Sequence, residues 1–163
     1  MSKENKLGLE GLKKKYKLLQ DKYKLPSFES LNHDFYIDKV AEIETELVTR
    51  EMRRFIADKV YNYLRFIETI LNPVNAPMFI FSIIKSLDSA DKKKLSDLYA
   101  KLSEINLELI KLDIESNEKK DAEFINQVYE SWQSIKKELF SVINRLNDTK
   151  EPKEDRNGSK YFG

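Results

Sequence analysis

No glycine occurs between residues 12 and 157; the four glycines are Gly8, Gly11, Gly158 and Gly163. Glycine enters left-handed backbone at no steric cost, and phosphate-cradling loops, tight hairpin turns and nucleophile elbows depend on it. A P-loop, a dinucleotide-binding fingerprint and a GxSxG hydrolase are therefore excluded. The four prolines, Pro26, Pro73, Pro77 and Pro152, stand where apolar repeats stop, so the interior reads as helices with few interruptions. A length of 163 residues suits one domain with a core of useful size. With no cysteine and a single histidine, His33, neither a disulfide nor a zinc or multi-histidine metal site is available. A reducing compartment permits such a chain.

The net charge of +1 conceals an asymmetry. Residues 1–24 carry eight lysines against three acids, residues 25–148 carry 17 basic against 22 acidic groups, and the remainder four against three. A basic leading segment on an acidic body argues against nucleic-acid binding over the whole surface, but leaves that segment able to contact phosphate. The opening MSKENKLGLE lacks the apolar core of a signal peptide, and the longest apolar run, Met78 to Ile84, is far short of the roughly 20 residues of a membrane span. A cytoplasmic location is expected. Lysines outnumber arginines 23 to 6, and Asn and Ile are abundant, as in an AT-rich genome. Yet Arg50, Arg53, Arg54 and Arg65 fall within sixteen residues, which suggests that the planar, five-donor guanidinium is needed there.

The first apolar repeat, Leu9, Leu12, Tyr16, Leu19 and Tyr23, predicts an amphipathic helix with lysines opposite, and Ser27 is a plausible cap for a short turn from Phe28 to Asp34. From Tyr36 to Leu71 the stripe Tyr36, Val40, Ile43, Leu47, then Met52, Ile56, Val60, Tyr63, Ile67, Ile70 predicts a long central helix, with a phase shift at the five-residue step after Leu47. Pro77 suits the first position of a short helix, through about Ser86, that is apolar nearly all round and must be buried or meet a partner. Asp88 or Ser89 caps the next helix, whose repeat is Leu95, Leu98, Leu102, Ile105, Leu109, Leu112. The last repeat is Ile125, Val128, Trp132, Ile135, Leu139, Val142, Leu146. A hairpin at Ser116 and Asn117 is expected between these two in preference to one continuous helix.

The expectation is an all-α fold: an elongated antiparallel bundle with coiled-coil-like seams, a long central helix, a short apolar helix and a C-terminal helical hairpin. Helices of about 36, 26 and 30 residues give rods of roughly 54, 39 and 45 Å and a chain about 70% helical. Residues 1–148 form the bundle domain, with residues 1–24 a basic amphipathic helix that packs on the bundle or moves apart from it. Residues 149–163 read as a disordered polar tail.

Few constellations suggest chemistry. Asp38, Glu42, Glu44, Glu46, Glu51, Asp58 and Glu68 crowd the central segment, but a di-iron bundle needs Glu-x-x-His pairs and the chain has none, so these read as solvated charge. Glu29 and His33 lie four residues apart beside Asp34, a spacing that suits a metal or acid–base pair but reads more simply as a polar connector. The candidate contacts are Arg50, Arg53, Arg54, Tyr61 and Arg65, with Lys13, Lys14, Lys15 and Lys17 of the KKKYK run. The arginines either pair with acids of adjacent helices, for which Glu108, Glu115 and Glu123 are the expected partners, or meet a protein or phosphate. The lysine-rich helix is a bundle helix, an interfacial membrane helix or a nucleic-acid arm. Trp132, at a seam position, is expected to anchor the core.

Two stretches, LPSFESLNHDFYI at residues 25–37 and EFINQVYESWQSIKKEL at residues 123–139, together with the REMRRF run of the central helix, resemble a group of helical proteins of unknown function from archaeal genomes. The resemblance implies an archaeal origin and brings no catalytic or binding residues.

With no catalytic, metal or cofactor site expected, the sequence points to a non-enzymatic helical interaction protein that docks a protein partner or associates with itself. Ile110, Ile114, Phe124, Tyr129 and Phe140 lie beside the seams and exceed what one hairpin can bury. The alternative is an accessory nucleic-acid binder, ribosome- or transcription-associated, using the basic helix and the arginines.

Overall fold

A computed structural model describes residues 8–115 and 117–148; the polar segment 149–163 lies outside the described residues. The described residues form six α-helices and one 3-10 helix, with no strand, packed as an all-α bundle. In order they are α1 (Gly8–Tyr23), α2 (Phe28–Phe35), the 3-10 helix Ile37–Glu42, α3 (Val48–Leu71), α4 (Met78–Ser86), α5 (Ser89–Ile114) and α6 (Glu118–Asp148).

Helices α3, α5 and α6 make the body. Ion pairs fix their directions: Lys101 of α5 meets Glu138 of α6, and Arg145 near the end of α6 meets Asp88 and Asp91 at the start of α5, so α5 and α6 form an antiparallel hairpin. The expected row on α6, from Ile125 to Leu146, is buried throughout, and that on α5 is buried except for half-exposed Ile105. Asp88 caps α5 through a reciprocal pair with Asp91, as the sequence suggests. Asn117 is the cap of α6, its side-chain oxygen accepting from the Lys120 N–H at 2.9 Å.

The central helix is shorter than its sequence pattern predicts. It begins at Val48, and the segment from Tyr36 to Leu47 is not α-helical. Tyr36 takes a left-handed conformation, φ 55°, donating its N–H to Asn32 O at 2.9 Å, while Asn32 Oδ1 accepts from the Asp38 N–H at 2.8 Å. The 3-10 helix follows, and Ile43 is extended. Three residues per turn stack Ile37 and Val40 on one side, so both are fully buried, whereas Tyr36 and Leu47 of the expected stripe are exposed. The five-residue step between Leu47 and Met52 marks this break: one continuous helix cannot aim both rows at the same core. The glutamates Glu42, Glu44 and Glu46, interleaved with β-branched Ile43 and Thr45, also disfavour helix there.

Without glycine, the two left-handed turns fall on Lys24 and Tyr36. Each costs about 1–2 kcal/mol relative to glycine. At the first, Pro26 O accepts from both Tyr16 Oη at 2.7 Å and Gln20 Nε2 at 3.2 Å, which ties the turn to α1. Helix α1 packs on the body: Leu12 and Tyr16 are buried, and α2 is capped by Ser27 as expected.

Candidate functional site

The cationic residues singled out from the sequence separate into different environments. Arg53 is buried, its side chain 1% exposed. Its Nη1 meets Asp113 Oδ1 of α5 at 2.8 Å and its Nε lies 2.8 Å from Asp121 Oδ1 of α6, whose side chain is also buried. Pairing with adjacent helices therefore exists, through Asp113 and Asp121. The acids Glu108, Glu115 and Glu123 instead take Lys111, Lys120 and Lys119. The spacing explains why: Thr49, Arg53, Ile56 and Val60 share the buried side of α3, and Asp121 stands one turn before Ile125 on that of α6.

Arg50 is half-buried, its Nε enclosed without a hydrogen-bond partner among the described residues. Arg54 is exposed and held by Glu51 at 3.1 Å. Arg65 is exposed over the ring of exposed Tyr61, 5.8 Å from its centroid. Of the α1 lysines, Lys13 and Lys14 are exposed, with the Lys13 ammonium 5.6 Å from the Phe28 ring. Lys17 is exposed beside Asp21, and Lys15 is held by Glu46 at 2.9 Å. The cations are thus distributed over α1 and α3, several already neutralised.

Glu29 and His33 line a cleft of about 330 Å³ with Lys13, Asn32 and Asp38, where α1 crosses α2. His33 is exposed, and its ring makes no hydrogen bond among the described residues that would orient it for proton transfer. Among the described residues no three His, Asp or Glu side chains are grouped to hold a metal ion.

One charged cluster was not anticipated. Buried Asp34, on α2, accepts from Lys136 Nζ at 2.8 Å and Gln133 Nε2 at 3.0 Å, both on α6. Lys59 of α3 donates to the Asp34 backbone carbonyl, and its ammonium lies 5.2–5.8 Å from the rings of Phe35, Tyr36 and Trp132. Burial raises the Asp34 carboxyl, but the hydrogen bonds from Lys136 and Gln133 outweigh it and hold the group below the usual carboxylate range. Burial likewise lowers Lys59. The arrangement clamps α2 to α3 and α6 around Trp132. The only sequence signal was Asp34 directly before an aromatic in a short helix.

The clamp makes stability depend on acid. Because the folded carboxyl titrates below its unfolded value of about 3.9, its contribution is present above that pH and is lost as pH falls through the folded value. Urea midpoints measured from pH 6 to pH 2 should fall steeply for the native chain and less steeply for Asp34→Asn, which is less stable at pH 6. Parallel curves for the two proteins would refute the assignment.

The remaining features are apolar and on the surface. Helix α4 buries only Ile80 and Ile83, leaving Met78 84% exposed and Phe79 and Phe81 substantially so, with Val74 exposed in the preceding turn. On α5, Leu107, Ile110 and Ile114 are exposed, Ile114 to 81%. Phe140 is also exposed, whereas Phe124, expected beside the seams, is buried and Tyr129 is half-covered. Adjoining clefts of about 300, 170 and 320 Å³ follow the groove between α5 and α6. Among the described residues no helix is long and apolar enough to cross a membrane. Comparison with known protein families, curated proteins and solved structures finds no match.

Proposed function

We propose that this chain is a non-catalytic helical interaction protein of the cytoplasm that docks a protein partner, another copy of itself included. The observation that carries the reading is the grouping of unpartnered apolar side chains on two helices: Met78, Phe79 and Phe81 on α4, and Leu107, Ile110 and Ile114 on α5. Exposed large apolar groups that recur along a helix face mark surfaces of association, whereas singly scattered ones do not. Helix α5 is anchored by its capping box and by the Arg145 ion pairs at its start, which supports a preformed docking surface there.

The nucleic-acid alternative draws on Lys13, Lys14 and Lys17, but it is weakened by the neutralisation of Lys15 and Lys22 and by the burial of Arg53. Affinity purification of the tagged chain from its source cell, with and without nuclease, decides between them. The expected result is a protein partner that survives nuclease and is lost on replacing Ile110 and Phe79 by Glu. Capture that vanishes with nuclease, or with rising salt, would overturn the protein-docking reading.

A further inference from the structure

We propose that α5 pairs with α5 of a second copy of this chain, antiparallel, about a two-fold axis passing between Leu107 and Ile110. The inference rests on the interaction reading above and specifies one surface and its occupant.

Helix α5 is apolar on two sides. Its row from Leu95 to Leu112 faces α3 and α6. A second row, Ser103, Leu107, Ile110 and Ile114, lies about 140° around the helix at 100° per residue, with the same alternation of fours and threes. Such a row on a lone helix is half of a two-helix seam.

The side chains of the row are complementary to themselves in one orientation. Antiparallel pairing about the stated axis sets Leu107 against the partner's Ile110 twice at the centre, and at each end sets large Ile114 against small Ser103. The residues flanking the row on the α6 side are Glu104 and Lys111, and the same operation brings Glu104 of each copy beside Lys111 of the other. Glu104 is exposed, and Lys111 is exposed with only a local contact to Glu108 at 3.3 Å. A parallel pairing instead sets Glu104 near Tyr99 and Lys111 near Asn106, which offers no opposite charges. The two-fold arrangement alone satisfies both size and charge.

Sedimentation velocity over a range of concentrations tests the pairing. The native chain should dimerise, and Ile110→Glu should weaken dimerisation at least about tenfold while leaving helicity, and Tm measured at concentrations where the native chain is monomeric, unchanged, because the residue is exposed in the monomer. Glu104→Lys and Lys111→Glu should each weaken the dimer, and the two together should restore it. The chain has no cysteine, so Ser103→Cys and Ile114→Cys chains can be mixed and oxidised; a disulfide between unlike chains is expected. A monomer at every concentration overturns the proposal, as does a dimer that ignores both Ile110→Glu and the charge reversals. Docking of a different protein is judged separately by the nuclease-treated purification, so failure here and failure of the wider reading are distinguishable.

Discussion

Arg53→Ala should destabilise the fold by about 3–5 kcal/mol, the range for removing one partner of a buried ion pair. The guanidinium stands between the start of α3, the end of α5 and the start of α6, with Asp113 and Asp121 each 2.8 Å away. Its loss removes the cation facing a buried carboxylate and also empties the volume of a large side chain. At 2–4 °C per kcal/mol for a chain of this size, Tm should drop by about 6–20 °C. Arg53→Met separates the two causes, since it keeps most of the packing. If charge dominates, adding Asp121→Ala to Arg53→Met should cost much less than Asp121→Ala alone. Strict additivity in urea denaturation would show that the two side chains are energetically independent.

Trp132→Ala should be comparably severe, at about 3–5 kcal/mol, through cavity formation. The indole is 2% exposed, with Phe35 and Tyr63 ring centroids 5.4 and 5.6 Å away. It thus joins α2, α3 and α6 at the point where Asp34 and Lys59 also meet. Its Nε1 is buried without a hydrogen-bond partner among the described residues, so Trp132→Phe forfeits volume but no such bond and should cost only a minor part of that loss. Circular-dichroism melting of both variants checks the ordering; an alanine variant as stable as the phenylalanine one would mean that the ring is not part of the core.

The rows of α5 and α6 were legible because they repeat without error over several turns, where periodicity is strongest. The 3-10 segment was not, since Val40 fits either an α-helical or a three-residue repeat and only tertiary packing chooses between them. Arg53 and Asp121 were legible in principle. Asp121 stands four residues before Ile125, as Asp91 does before Leu95, and Arg53 stands three before Ile56 with buried Met52 beside it; each of the three is buried. A charge in register with an apolar row signals an ion pair across the bundle. Charge density alone singled out Arg53 together with Arg50, Arg54 and Arg65 and could not separate the buried one from the exposed ones. The outer row of α5 was half visible: Ile110 and Ile114 stood out, but Leu107 became informative only when the structure placed it opposite the core.

The position of α1 bears on the order in which the molecule assembles. Its end is held by α6 through Lys22 and Tyr23 to Glu118, at 2.8 and 2.7 Å, and through Asn126 to the Tyr23 carbonyl at 3.0 Å. These contacts join residues 95–103 positions apart, so the loop-closure term for forming them from an open chain is about 4 kcal/mol. The α5–α6 hairpin closes a far shorter loop and can form first, cutting the effective separation that α1 must bridge. The junction between the end of α1 and α6 is therefore expected to form last and to open first, whereas the packing of α1 on the nearby 3-10 helix closes only a short loop.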